Sequence, residues 1–134
     1  MIDPRIADSF ARQSMMASLK AELQAAMQGR CIIHAPILPA FGQQHGAAHA
    51  AVAFALGDSA AGYAALTTML AGQEVMTAEM KINLLSPAMG DRLEATGEVV
   101  RTGRRLIVVR AEVVAVAGDT RKVVAVLQGT MIGV

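Results

Sequence analysis

Tryptophan is absent, and one tyrosine with three phenylalanines makes the chain only 3% aromatic. A core for these 134 residues must therefore be assembled from Val, Ala, Leu, Ile and Met. A single cysteine, Cys31, excludes an internal disulfide and any multi-cysteine metal site. An excess of charge of either sign is lacking too. Twelve Lys and Arg against 11 Asp and Glu leave a net +1, which excludes a general electrostatic binder of nucleic acid. The opening MIDPRIADSF has neither the basic start nor the apolar run of a signal peptide, so a cytoplasmic location is expected. Residues 47–70 come nearest to a membrane span. They include His49, Asp58, Ser59, Tyr63, Thr67 and Thr68, and much of the remainder is alanine. A buried helix of a soluble protein with no membrane partner is the better expectation.

What is present is mostly apolar: 54% of residues are hydrophobic, among them nine methionines, which suit adaptable packing. So apolar a small domain is expected to cover some surface between subunits. Asp3-Pro4 reads as a helix start, with Ile6, Phe10 and Ser14 on one face. LKAELQAAMQ (19–28) has good helix propensity, until Gly29 breaks it and Cys31-Ile32-Ile33 opens a strand. Loop residues follow over 39–46. The segment 47–70 is apolar on every side of a helical wheel, as in a helix enclosed by other elements.

Beyond Gly72 the period falls to two. Met76, Ala78, Met80, Ile82 and Leu84 form a dry face, alternating with Thr77, Glu79, Lys81 and Asn83. After a turn at 87–91, strands are expected at 92–101, 106–117 and 122–132, broken at Thr102-Gly103 and Gly118-Asp119. In the second of these, Ile107, Val109, Ala111, Val113 and Ala115 share one side. The expectation is one α+β domain over 1–134, with four meandering antiparallel strands wrapped around a long central helix.

The stretches QQHGAAHAAVAFALGDSAAGYAA, TAEMKINLLSPAMGDRLEATGEVV and GRRLIVV together resemble the hotdog-fold thioesterases, above all the PaaI-like acyl-CoA thioesterases of the phenylacetate pathway. That family pattern has Gln or Asn in a loop, His-Gly-Gly opening the central helix, and an acid along it. The resemblance therefore implies that Gln43, His49 and Asp58 are site residues, and that 21–27 is a strand in a hairpin turning at Gly29. Ala50-Ala51 stands where the family has Gly-Gly. Alanine keeps the backbone N–H that would polarise a thioester carbonyl and adds a methyl group beside it.

Nine residues along a helix rise about 13 Å and rotate by roughly 180°. His49 and Asp58 of one chain thus cannot meet, and a single helix cannot make the site. Two helices side by side across a twofold axis remove the difficulty: Gln43, His49 and the Ala50 N–H come from one chain and Asp58 from the other. Hotdog dimers are built so, and the resemblance implies a homodimer that assembles further into a homotetramer.

Free N–H groups at a helix start suit an oxyanion, with the Ala50 N–H as donor. Asp58 suits a general base or a nucleophile, its pKa raised by apolar surroundings. Gln43 would orient water or thioester. Plainer roles stand beside these: Asp58 and His49 as hydrogen-bonded structural groups, Gln43 as a loop support. Arg101, Arg104 and Arg105 surround a turn and read either as a solvated tip or as contacts for the phosphates of coenzyme A. Lys81 and Asn83 line a substrate cleft or are merely exposed. No metal and no cofactor is expected; coenzyme A enters as part of an acyl-CoA substrate. The expected activity is thioester hydrolysis of an acyl- or arylacetyl-CoA. A non-catalytic acyl-CoA-binding hotdog module is the main alternative, and a hotdog dehydratase a weaker one.

Overall fold

Asp3 caps the first helix, its carboxylate accepting the Arg5 N–H at 2.9 Å, with Pro4 in the first turn. The chain, described over residues 1–134 by a computed structural model, continues from α1 (Pro4–Ala11) into a short α2 (Ser14–Ser18). Ile6 is fully buried and Phe10 packs against the core, as expected. Ser14 departs from that face: α1 has ended, and Ser14 opens α2 exposed to solvent.

The residues with helix propensity form a strand. β1 (Glu22–Met27) pairs antiparallel with β2 (Arg30–Pro36), through a two-residue turn in which Gln28 and Gly29 both have positive φ, 50° and 77°. Two left-handed residues give the type I′ geometry that matches strand twist. Tertiary burial outweighs propensity here: Ala26 is fully buried, and Ala21 and Leu23 pack on the core.

The central helix α3 runs Ala50–Leu66, within the expected 47–70 but shorter at both ends. At its start Ala48 is held in bridges to Gly42 and Ala88. At its end Thr67 and Thr68 turn their hydroxyls back to the carbonyls of Ala64 and Ala65. β3 (Val75–Leu84), β4 (Arg92–Thr102), β5 (Leu106–Ala117) and β6 (Thr120–Gly133) complete one antiparallel sheet of order β1-β2-β4-β5-β6-β3.

Only three strands meander. β4, β5 and β6 follow one another, but β3 pairs with β6 at the far edge and β4 sits between β2 and β5. Residues 85–91 are a crossover rather than a hairpin turn: an extended segment of that length reaches about 23 Å, enough for three strand spacings of about 14 Å in total. The dry face of β3 also shifts, because a bulge at Ala78 breaks the register between Thr77 and Glu79. Val75 and Thr77 point toward α3 before it, and Met80 and Ile82 after it, while Met76 is left 55% exposed.

α3 lies in the concave face of this sheet, the hotdog arrangement that the resemblance implies. Leu56, Ala60, Ala61, Ala64 and Ala65 are fully buried, and the predicted inward row of β5 is buried throughout. Contact is closest at Gly97, where a Cβ would fall 2.3 Å from the Ala60 carbonyl carbon. Only hydrogen fits there. The other face of the sheet carries a row across five strands, Arg30, Glu98, Arg110, Gln128 and Lys81, paired in register. Beside it Glu94 is nearly buried. Arg121 at 2.5 Å and Arg92 at 2.7 Å hold its carboxyl down to about 2, against the cost of desolvation. Because the folded pKa is depressed, the stability this gives is present above the ordinary carboxylate range and is lost as pH falls through about 2.

Candidate active site

The first cleft forms where α3 begins. His49 is the N-cap, and its ring Nδ1 accepts the Ala51 N–H at 2.9 Å. An accepting Nδ1 places the ring proton on Nε2. The Val52 N–H bonds to the His49 carbonyl, while the Ala50 N–H has no partner in the protomer. His49 thus holds the turn, and its neighbour is left with the spare donor. Gln43 is anchored by its backbone N–H to the Ala47 carbonyl at 2.8 Å, and its side-chain oxygen accepts from the His45 N–H. The Gln43 amide nitrogen remains available to the cleft. Gln43, His49 and Ala50 line this space of about 520 Å³ together with Leu85, Pro87 and Ala88 of the crossover. The three residues that sequence reasoning grouped thus line one cleft, and the crossover supplies a wall it did not foresee.

Asp58 lies elsewhere. It is half-buried on the side of α3 that the sheet leaves open, and it lines a separate cleft of about 270 Å³ with no residue in common with the first. The rise and rotation along the helix require this separation. Burial pushes the Asp58 carboxyl above its ordinary value, and a hydrogen bond from the Thr77 hydroxyl at 2.8 Å opposes the rise. The bond engages Oδ1 and leaves Oδ2 without a protein donor. Around it runs a polar chain: Ser59 donates to the Gln13 side-chain oxygen at 3.2 Å, the Gln13 amide donates to the Tyr63 hydroxyl at 3.0 Å, and Ser9 lies 3.2 Å from that same hydroxyl. Thr77, Ser9, Gln13, Ser59 and Tyr63 were not singled out from sequence. Thr77 was assigned to the wet face because the bulge was invisible.

The remaining candidates stand apart. Lys81 and Asn83 line a groove of about 610 Å³ on the sheet face opposite α3, with Arg30, Glu98 and Arg110. Arg101, Arg104 and Arg105 are exposed around the β4–β5 turn, at the end of the sheet away from the start of α3, and none makes an ion pair. No three His, Cys, Asp or Glu side chains converge as metal ligands. No helix is long and apolar enough to cross a membrane.

A six-stranded antiparallel sheet folded around one helix, with an uncapped N–H at the helix start and a carboxylate partway along it, defines a hotdog protein of the thioesterase kind. Comparison with known proteins agrees. The thioesterase superfamily model matches residues 45–122, and the chain belongs to that superfamily of thioester hydrolases. A thioesterase family protein from Silicibacter pomeroyi is 38% identical and superposes with a TM-score of 0.95, over 97% of this chain and 96% of that one. The PaaI protein of the E. coli phenylacetic acid degradation operon shares the fold, with a TM-score of 0.86 over 96% of this chain and 89% of that one, at 22% identity. A curated relative, named as a candidate esterase of Saccharolobus solfataricus, is 34% identical over 85 residues, which is 63% of this chain but only 60% of that protein.

Proposed function

We propose that this protein is an acyl-CoA thioesterase whose two equivalent sites are each shared between protomers of a homodimer. The observation that carries this is Asp58: a half-buried carboxylate whose pKa burial raises, with one oxygen tethered and the other without a protein donor, lining a cleft that is open rather than sealed. The protomer also has surfaces suited to a twofold partner. β3 is a ten-residue edge strand with no neighbour on one side, and Met76 and Leu84 on it are 55% and 58% exposed. Such an edge invites pairing with a second copy. The stripe of α3 that the sheet leaves open, Ala51, Ala55, Asp58 and Ser59, would then face the partner's helix.

In that dimer the partner's Ala50 N–H and Gln43 amide hold the thioester carbonyl near Asp58. Asp58 takes a proton from water, the water oxygen bonds to the thioester carbon, and the partner's Ala50 N–H stabilises the negative charge that develops on the carbonyl oxygen. Collapse breaks the C–S bond, and the proton passes to the leaving thiolate. Direct attack by Asp58 through a mixed anhydride uses the same geometry; transient label from ¹⁸O water in its carboxylate would distinguish it. The exposed Arg101, Arg104 and Arg105 suit the phosphates of coenzyme A, with Lys81 and Asn83 as further nucleotide-side contacts. Assembly of two dimers into a tetramer, in the cytoplasm, completes the proposal.

The test is release of free thiol from a panel of acyl-CoAs. Asp58→Asn is expected to lower kcat by about 10²–10⁴-fold, the usual worth of a positioned base. Unchanged release would remove Asp58 from the chemistry. The methyl of Ala50 on the cleft wall favours the second reading, a binding module, and thiol release from no acyl-CoA would establish that instead.

A further inference from the structure

Gln13 stands at the N-cap position of α2, where Ser, Thr, Asp or Asn would ordinarily bond the first free N–H groups, yet its side chain makes no capping bond. The carboxamide crosses to α3 instead. Its Nε2 donates to the Tyr63 hydroxyl at 3.0 Å, and its Oε1 accepts the Ser59 hydroxyl proton at 3.2 Å. Tyr63 is a firm anchor: its ring is buried and tilted against Phe10, with centroids 6.1 Å apart, and Ser9 lies 3.2 Å from its hydroxyl. With Nε2 committed to Tyr63, the amide presents its oxygen to Ser59. A serine hydroxyl ordinarily turns to donate or accept as its surroundings require. Here its proton is committed to Gln13, so toward the cleft that it lines with Asp58, Ser59 can only accept.

We propose that Ser59 is the second acceptor for the attacking water, and that Gln13 is the positioning residue that makes it one. This rests on the reading in which Asp58 activates water at the thioester. One acceptor directs one O–H of a water and leaves the other free to swing, so the lone pairs have no fixed direction. Two acceptors, Asp58 and Ser59, direct both hydrogens and leave a lone pair for the thioester carbon. A donor in place of Ser59 would take up that lone pair. During attack the proton on the Asp58 side passes to the carboxylate. The proton facing Ser59 stays on the oxygen and ends in the carboxylic acid product. Gln13 acts here through Ser59, by fixing which way its hydroxyl points.

The experiment measures kcat, KM and the pH profile of thiol release for Ser59→Ala, Gln13→Met and the double variant, on the fastest acyl-CoA of the panel. Each single variant is expected to lower kcat by about tenfold with KM held, the worth of one hydrogen bond. The double variant should lose no more than either alone, because the two side chains act as one unit. The acid limb should stay at its native pH, since burial and Thr77 shift the Asp58 pKa and neither substituted group is charged. Three results would overturn this inference and leave the thioesterase proposal standing. They are a native kcat in Ser59→Ala, losses that multiply in the double variant, and an acid limb that moves together with kcat, as loosened packing around Asp58 would cause. No thiol from any acyl-CoA of the panel would overturn both.

Discussion

At the scale of single residues, the proposed chemistry depends on how Asp58 is held. Burial raises its pKa and Thr77 opposes the rise. Since the proposed base must be ionised, the acid limb of kcat/KM against pH should lie above the ordinary carboxylate value. Removing the Thr77 donor takes away the only lowering influence, so in Thr77→Val that limb should move to still higher pH. The plateau should fall by about tenfold as Oδ1 loses its tether. A pH–rate profile checks both, and a limb that moves downward would contradict the assigned geometry. The other acid lining this cleft, Glu74, is exposed. Asp58 was legible in the sequence because a carboxylate inside an all-apolar helix is conspicuous, and the family pattern assigned it a role. Thr77 was not, because one extra residue in β3 inverts which side chains face inward. Ser9 in α1 and Gln13 just beyond it were out of reach for another reason: nothing local tells where that segment docks.

At the scale of elements, the helix and the sheet meet through the smallest residue available. In Gly97→Ala the new methyl would lie 2.3–2.4 Å from backbone atoms of Ala60 and Ala61, which cannot rotate away. The helix must shift, at a cost of about 1–3 kcal/mol or more. A urea midpoint that falls while the m-value holds would register it. Gly62→Ala is the matched control: its methyl would meet the side chains of Met131 and Val75 at ordinary contact distance, and alanine favours the helix, so stability should hold or rise. The elements themselves were mostly readable. The strand pairs β4–β5 and β5–β6 follow from turn residues and alternation, while β1–β2 came from the family resemblance alone. The place of β3 at the far edge did not, since a short loop reads as a hairpin unless something reveals the long-range pairing with β6. Propensity alone would have made 19–28 a helix. Burial of Ala26 and a two-residue left-handed turn decided otherwise.

At the scale of the whole molecule, the two clefts make a prediction about mixtures. Proline suits the first helical position, and His49, at ψ 142°, already has the backbone a following proline requires. Ala50→Pro therefore deletes the N–H at little cost to α3. Asp58→Asn and Ala50→Pro should each be nearly inactive alone. Dissociated and reassembled at equal concentration, they should recover about a quarter of native activity, because half the dimers are mixed and each mixed dimer has one intact site of two. Recovery of nothing would place both groups in sites of one chain. A different consequence follows from Arg5, which reaches from α1 to the carbonyls of Leu66, Met69 and Leu70 at 2.8, 3.3 and 3.1 Å. The last turn of α3 is thus corked by a side chain 61 positions earlier than Leu66, while its first turn is fastened by His49 next door. The two ends should fray independently. Loosening α1 would speed amide exchange near Leu66 and leave the turn at His49 as quiet as before.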